Sequence, residues 1–164
     1  MFKINHILLL VCILFSNHAV ANIDGVVQRV VDGDTIHVET VDGKKYKVRL
    51  LGIDAPELSQ PYGMASKKNL KDLIQGRNVK IITNKKDRYK RVLGKILLEK
   101  KDINLIMVRQ GFAWHYKRYI KDQAKNDVSL YSIAQDFAED QQLGLWKEPI
   151  SIPPWDWRRN NRGK

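Results

Sequence analysis

Cysteine is almost absent from this chain: 164 residues contain one, Cys12, inside an apolar run near the N-terminus. A domain downstream of that run has no disulfide framework, no thiolate metal site and no thiol nucleophile. Histidine is nearly as sparse, and only His37 and His115 lie beyond the first twenty positions. His37 sits in a strand pattern beside Ile36 and Val38 and His115 sits among aromatics, so both read as structural. A tetrahedral zinc centre is poorly supplied, and so is a two-histidine acid–base mechanism. Ser129 and Ser132 lack the glycine pattern of a nucleophile elbow, which argues against a serine hydrolase. No apolar run reaches the ~20 residues of a membrane-spanning helix. Acids are outnumbered, with 18 Asp and Glu against 29 Lys and Arg and a formal charge of +11. That excess favours polyanionic partners through counterion release and steering, without saying which polyanion.

The first residues read as an export leader. Lys3 precedes the apolar run Ile7 to Phe15, and Ala19-Val20-Ala21 supplies a small-residue cleavage pattern. Bulky Val11 before Cys12 disfavours lipid modification there. We therefore expect a signal peptide over 1–21 and a mature chain from Asn22. It would be a monomer, exported to the periplasm or the medium, with no stable membrane association once the leader is gone. A globular domain over 22–148 and a basic, tryptophan-bearing tail over 149–164 complete the expected organisation.

Gly25 to Val31 and Thr35 to Glu39 read as strands separated by the Asp32-Gly33 turn. Asp42-Gly43 is a hairpin signal leading to Lys45–Leu51, where Tyr46, Val48 and Leu50 alternate with Lys47 and Arg49. Gly63 to Gln75 is helical in pattern, with Met64, Leu70, Leu73 and Ile74 near one face and Gly76 as the stop. Val79 to Thr83 and Val92 to Leu98 are further strands flanking a charged turn from Asn84 to Arg91. Asn104 to Gln110 and Ser129 to Gln142 are helical, the second with Leu130, Ile133, Ala134 and Phe137 as its apolar face. Three strands, a helix and two strands is the order of an α+β OB-fold, a five-stranded barrel here accompanied by about three helices. Pro149 to Lys164 lacks periodicity.

Three short segments carry the chemistry: Asp32-Gly33-Asp34-Thr35, then Val48-Arg49-Leu50-Leu51-Gly52-Ile53-Asp54-Ala55-Pro56-Glu57, then Asp87-Arg88-Tyr89-Lys90-Arg91. They bring acidic oxygen donors for a hard cation, guanidiniums for a phosphate and a carboxylate able to handle a water. Each residue taken alone has a plainer use: Asp34 and Asp54 as loop caps, Glu57 as a loop carboxylate, Arg49 and Arg91 as solvated cations. Asp32 reads as shaping its turn. Their joint occurrence favours chemistry.

In order and spacing the three segments closely resemble the thermonuclease family, the staphylococcal nuclease-like enzymes. The resemblance runs from about Val26 to Trp146. It implies that Asp34 and Asp54 are calcium ligands with the Ala55 carbonyl, and that Glu57 orients or deprotonates the attacking water. It implies Arg49 and Arg91 as phosphate clamps, with Arg88, Tyr89 and one of Tyr116 or Tyr119 touching substrate. The activity implied is calcium-dependent hydrolysis of DNA and RNA at the 5′ oxygen–phosphorus bond, leaving 3′-phosphate ends. Two departures stand out. Ala55 replaces a threonine, and Lys90 occupies a position where a glycine commonly precedes the second arginine. A non-catalytic OB-fold that binds nucleic acid is the rival reading, though a pure binder has no need of the full acidic and basic set. An exported basic protein that binds acidic envelope polymers would explain the charge but not the carboxylates. In the tail, Arg158, Arg159, Arg162 and Lys164 offer phosphate contacts and Trp155 and Trp157 offer stacking surfaces. A tail docked on the barrel is the equal alternative.

Overall fold

Among the described residues eight strands are interspersed with four α-helices. The strands are β1 (Ala21–Val30), β2 (Thr35–Glu39), β3 (Lys45–Leu50), β4 (Ile53–Asp54), β5 (Asn78–Lys86), β6 (Val92–Leu98), β7 (Lys101–Asp102) and β8 (Trp114–His115). The helices are α1 (Gly63–Ile74), α2 (Ile103–Arg109), α3 (Lys125–Asp140) and α4 (Pro154–Asn160). This computed structural model describes residues 21–161, so all but the last residue of the expected 1–21 leader, and the tail cations Arg162 and Lys164, lie outside the described residues.

β1 starts at Ala21 rather than Gly25 because it serves two neighbours in succession. Ala21–Val26 pair antiparallel with β5, and Val26–Val30 pair antiparallel with β2. A register shift between Val27 and Arg29 bends the strand from one partner to the other. Gly25 precedes that bend, opposite Val79, at a point where a Cβ would come within 2.7 Å of the Glu39 carbonyl oxygen. The sheet runs β3-β2-β1-β5-β6-β7 and closes through a parallel pairing of β3 with β6, Val48 opposite Val92 and Leu50 opposite Gly94. The five long strands thus form a closed barrel, the expected α+β OB-fold, with β7 as an extension.

Its interior is filled by the inward residues of the alternating strands, Ile36, Val38, Val48, Leu50, Ile81 and Ile96. Leu70 and Ile74 of α1 and Ile103, Met107 and Val108 of α2 pack against them. Each fully buried aliphatic side chain contributes about 1.5–3 kcal/mol. Asn104 is buried among them as a joint. Its amide nitrogen donates to the carbonyls of Leu51 (2.9 Å) and Gly94 (3.1 Å), and its oxygen accepts the Ile96 N–H at 3.1 Å. Asp102 caps α2 by accepting the Leu105 N–H, and the buried Tyr131 of α3 donates its hydroxyl to the same carboxylate.

Several expectations change. Of the predicted α1 face Leu70 and Ile74 are buried and Leu73 partly so, but Met64 is exposed, and Gly63 and Ser66 are buried as well. α3 begins at Lys125 rather than Ser129, and its buried residues are Tyr131, Ala134, Gln135 and Ala138. Of the predicted face only Ala134 is buried; Leu130, Ile133 and Phe137 are exposed. The polar ends of Tyr131 and Gln135 find partners in Asp102, the His115 N–H and Glu139, which lets them take the inner face. The segment read as aperiodic contains α4, with Pro154 at its first position. Among the described residues no helix is long and apolar enough to cross a membrane.

Candidate active site

The turn between β1 and β2 aims its second aspartate inward. Asp32 accepts the Asp34 N–H at 3.1 Å, and the Val31 N–H donates to the Thr35 carbonyl at 2.8 Å. Gly33 is required there: a Cβ would stand 2.0 Å from the Ser66 hydroxyl and 2.6 Å from the Ala55 methyl. With the turn pressed against α1 and Ala55, the Asp34 carboxylate is buried. It accepts the Ala55 N–H at 2.7 Å and the Thr35 hydroxyl at 3.1 Å.

Arg49 leaves β3 opposite Thr35 in register, which places its side chain beside Asp34. Its guanidinium bridges two acids, pairing through Nη1 with Asp34 and through Nη2 with Asp54 at 2.7 Å. At 13% side-chain exposure it is no solvated cation. Asp54 reaches the same point from the next strand. The short β4 pairs with β8, Asp54 opposite Trp114, and leaves the Asp54 side chain 0% exposed. Two-residue strands are too short to show alternation, so this ladder had no sequence signal. Glu57 follows on a tight loop in which its N–H donates to the Gln60 side chain and its carbonyl accepts the Gln60 N–H. Gly63 keeps that loop close, because a Cβ would fall 1.8 Å from the Glu57 carbonyl oxygen.

A third arginine enters from α4. Arg158 donates to both oxygens of Asp54, at 2.7 and 3.2 Å, and to Glu57 at 2.7 Å. It is the residue that joins Glu57 to the buried pair, whereas the sequence reading offered it among the tail cations as a phosphate contact. The signal available was local: Trp155 and Arg158 stand three apart behind a helix-starting proline, on one face.

The predicted substrate residues fall into two groups. In the β5–β6 turn, Arg91 donates through Nε to Asp87 at 2.7 Å, and both Arg88 and Arg91 lie over the exposed Tyr89 ring. The contacts described for Arg91 do not reach Asp34, Asp54 or Glu57. The turn is nevertheless anchored beside the site, since Val92 and Leu93 run parallel to Val48 and Arg49. Lys90 adopts φ 63, the left-handed conformation that a glycine would take without strain. In the second group, Tyr116 is fixed by its N–H to the Gly52 carbonyl. It stacks on Trp155 at 5.3 Å and meets Tyr119 edge-on at 5.4 Å. His115 is buried beside this cluster, bonded to Gln123.

Burial sets the electrostatics. It pushes the Asp32 carboxyl up to about 6, helped by the Asp34 charge and opposed by the Asp34 N–H. Asp54 is likewise raised by burial, against the pull of Arg158 and Arg49. Burial works against the Arg49 guanidinium, but Asp34 and Asp54 outweigh it and its pKa is raised. Burial lowers His115 and keeps it neutral.

Among the described residues no three Asp, Glu, His or Cys side chains form a ready metal cage. The donors that do converge are carboxylate oxygens held around a guanidinium, with Arg158 standing as a cation against Asp54 and Glu57. That all-oxygen, charge-seeking set fits a hard dication completed by water and phosphate, and does not fit a soft metal.

An OB-fold barrel carrying paired acids and arginines on the exit of β3 defines a class of phosphodiester-handling proteins. Residues 47–148 match the family model described as "Staphylococcal nuclease homologue". A Haemophilus influenzae protein named "Uncharacterized endonuclease" is 43% identical over 136 residues, which cover 83% of this chain and 73% of that protein. An Escherichia coli "Uncharacterized endonuclease" is 40% identical over 84% of this chain and 86% of its own length. A Shigella flexneri "Micrococcal nuclease" is 37% identical over 93% and 90%. The chain belongs to the staphylococcal nuclease family.

Proposed function

We propose that this protein is a calcium-dependent nuclease that hydrolyses phosphodiester bonds of DNA and RNA. The observation that carries the reading is the bridge Asp34–Arg49–Asp54, in which one guanidinium holds two buried carboxylates, one from the β1–β2 turn and one from β4, with Glu57 joined to Asp54 through Arg158. A structural salt bridge has no need of three acids so placed, and related proteins carry nuclease names.

Asp34 and Asp54 would hold the calcium ion with the Ala55 carbonyl, and a hard dication there would polarise the phosphoryl group and lower the pKa of a bound water. Glu57, on its fixed loop, takes the proton from the attacking water. Arg49 and Arg91 present planar forks to the phosphate oxygens as charge grows on them. Water adds to phosphorus, the bond to the 5′ oxygen breaks, and that oxygen leaves with the electron pair and takes a proton from solvent, to which Glu57 returns the one it accepted. The product strand ends in a 3′-phosphate. Tyr89, Arg88 and the Tyr116–Tyr119 pair flank this centre as surfaces for base and backbone. None of these groups selects for a 2′-hydroxyl, so both nucleic acids are substrates.

The protein would act as an exported monomer beginning at Asn22 after release of the 1–21 leader, with the nuclease domain over 22–148 followed by the basic tail 149–164. Sequencing the N-terminus of the protein recovered from periplasm or medium tests that cleavage. For the activity, the purified mature chain is incubated with DNA and with RNA, in calcium or in chelator, and the product ends are identified. Calcium-dependent 3′-phosphate ends are expected. Full activity in excess chelator, or binding without cleavage, refutes the reading.

A further inference from the structure

The most distant part of the chain lies against the centre of the candidate site. Arg158 reaches Asp54 across 104 residues of sequence and clasps both of its oxygens, with Glu57 held by the same guanidinium. Trp155, on the same face of α4, stacks on Tyr116 with planes 24° apart and meets Trp114 edge-on at 5.6 Å. Gln60, whose oxygen accepts the Glu57 N–H, donates to the Ile152 carbonyl at 2.6 Å and ties the approach to α4 to the same loop.

Each contact copies one that a ligand would make. A guanidinium between two carboxylates supplies the positive charge that a metal ion supplies, and a flat indole on a tyrosine occupies the surface that a nucleobase would use. We propose that α4 is a tethered occupant of the active site, with Arg158 in the place of the cation at Asp54 and Glu57 and Trp155 in the place of a base on Tyr116. Metal and nucleic acid must then displace the helix to bind. The inference rests on the reading of Asp54 and Glu57 given above.

The fastening is suited to release. Arg158 is 39% and Glu57 41% exposed, so water can replace their bond, and Asp54, which is 0% exposed, keeps the Arg49 guanidinium at 2.7 Å when Arg158 leaves. α4 spans seven residues, too short to hold its own shape, so undocking opens only a local segment. A site competent in about 1–10% of molecules has its apparent affinity weakened by that fraction, about ten- to a hundred-fold.

Calcium titrations by calorimetry on the full chain test this, using wild type, Arg158→Ala and Trp155→Ala, with near-ultraviolet circular dichroism confirming the fold. Arg158→Ala should bind Ca²⁺ about ten- to a hundred-fold more tightly than wild type. Trp155→Ala, which loosens the helix without touching the charge, should shift in the same direction by less. In wild type, saturating Ca²⁺ should speed hydrogen exchange in the peptide covering α4. Equal affinities in all three proteins, or weaker binding by Arg158→Ala, overturn the proposal and leave the calcium reading standing. Exchange in α4 that is unchanged or slowed by Ca²⁺ also overturns it. Absence of Ca²⁺ binding in every variant defeats the calcium reading and this inference together.

Discussion

Replacing Asn104 with leucine removes a joint that holds the acidic loop to the barrel, and its cost can be worked from three hydrogen bonds. The side chain donates to the Leu51 and Gly94 carbonyls and accepts the Ile96 N–H. In Asn104→Leu the Gly94 carbonyl keeps the Leu51 N–H, at 2.8 Å. The buried Ile96 N–H and the part-buried Leu51 carbonyl lose their partner, at about 1–3 kcal/mol each. Leucine gains some apolar burial, so the net loss should be about 2–5 kcal/mol, a large share of a small domain's stability. Leu51 stands just ahead of Asp54, so the metal-binding loop should slacken as well. Equilibrium urea unfolding measures the effect as a lowered midpoint at unchanged slope. Asn104→Asp should be at least as damaging, because a carboxylate would face two carbonyl oxygens. A loss below about 1 kcal/mol in Asn104→Leu would show that this joint does not hold the loop.

Other outcomes follow from the site itself. Glu57→Gln should lower kcat by about 10²–10⁴ while oligonucleotide binding measured by fluorescence anisotropy stays near normal. Arg49→Lys should cost about 10²–10³ in kcat, since one ammonium cannot span Asp34 and Asp54 and still meet two phosphate oxygens; near-normal turnover would reject the clamp. Asp32 has its carboxyl raised to about 6 from an ordinary value of 3.8, so the folded protein holds its proton longer than the unfolded chain. Stability from this group is present below about pH 4 and is lost as pH rises through 6. Asp32→Asn keeps the acceptor for the Asp34 N–H and should make the metal-free protein about 1–2 kcal/mol more stable than wild type at pH 7.5, with no difference at pH 4, by urea unfolding. Lys90→Gly should raise stability by up to about 1 kcal/mol, as relief of the left-handed strain at φ 63 exceeds the added chain entropy.

The barrel was legible because its strands alternate, and Val48 and Leu50 point inward where Lys47 and Arg49 do not. The acidic pair was legible as motif rather than as geometry. Nothing in the local pattern tells that Arg49 will bridge Asp34 and Asp54, because that depends on the β2–β3 register and on β4 meeting β8. On α3 the apolar stripe is wider than the surface it covers, so hydrophobicity alone chose Leu130, Ile133 and Phe137 over Tyr131 and Gln135. Arg91 was assigned to the phosphate by its motif, yet its spacing from Asp87 also describes the pair that forms within its own turn. Arg158 was illegible as a site residue, since one arginine in a basic tail carries no mark of a carboxylate far back in the sequence.

The position of α4 matters for how the protein is handled at the bench. α4 closes at Asn160, so a purification tag attached a few residues after it would be tethered to the helix that touches Asp54 and Glu57. A polyhistidine tag there would place a string of imidazoles, themselves metal ligands, near the carboxylates whose metal affinity is to be measured. Calcium titrations and salt series belong on protein purified without such an extension, or with the extension cut away.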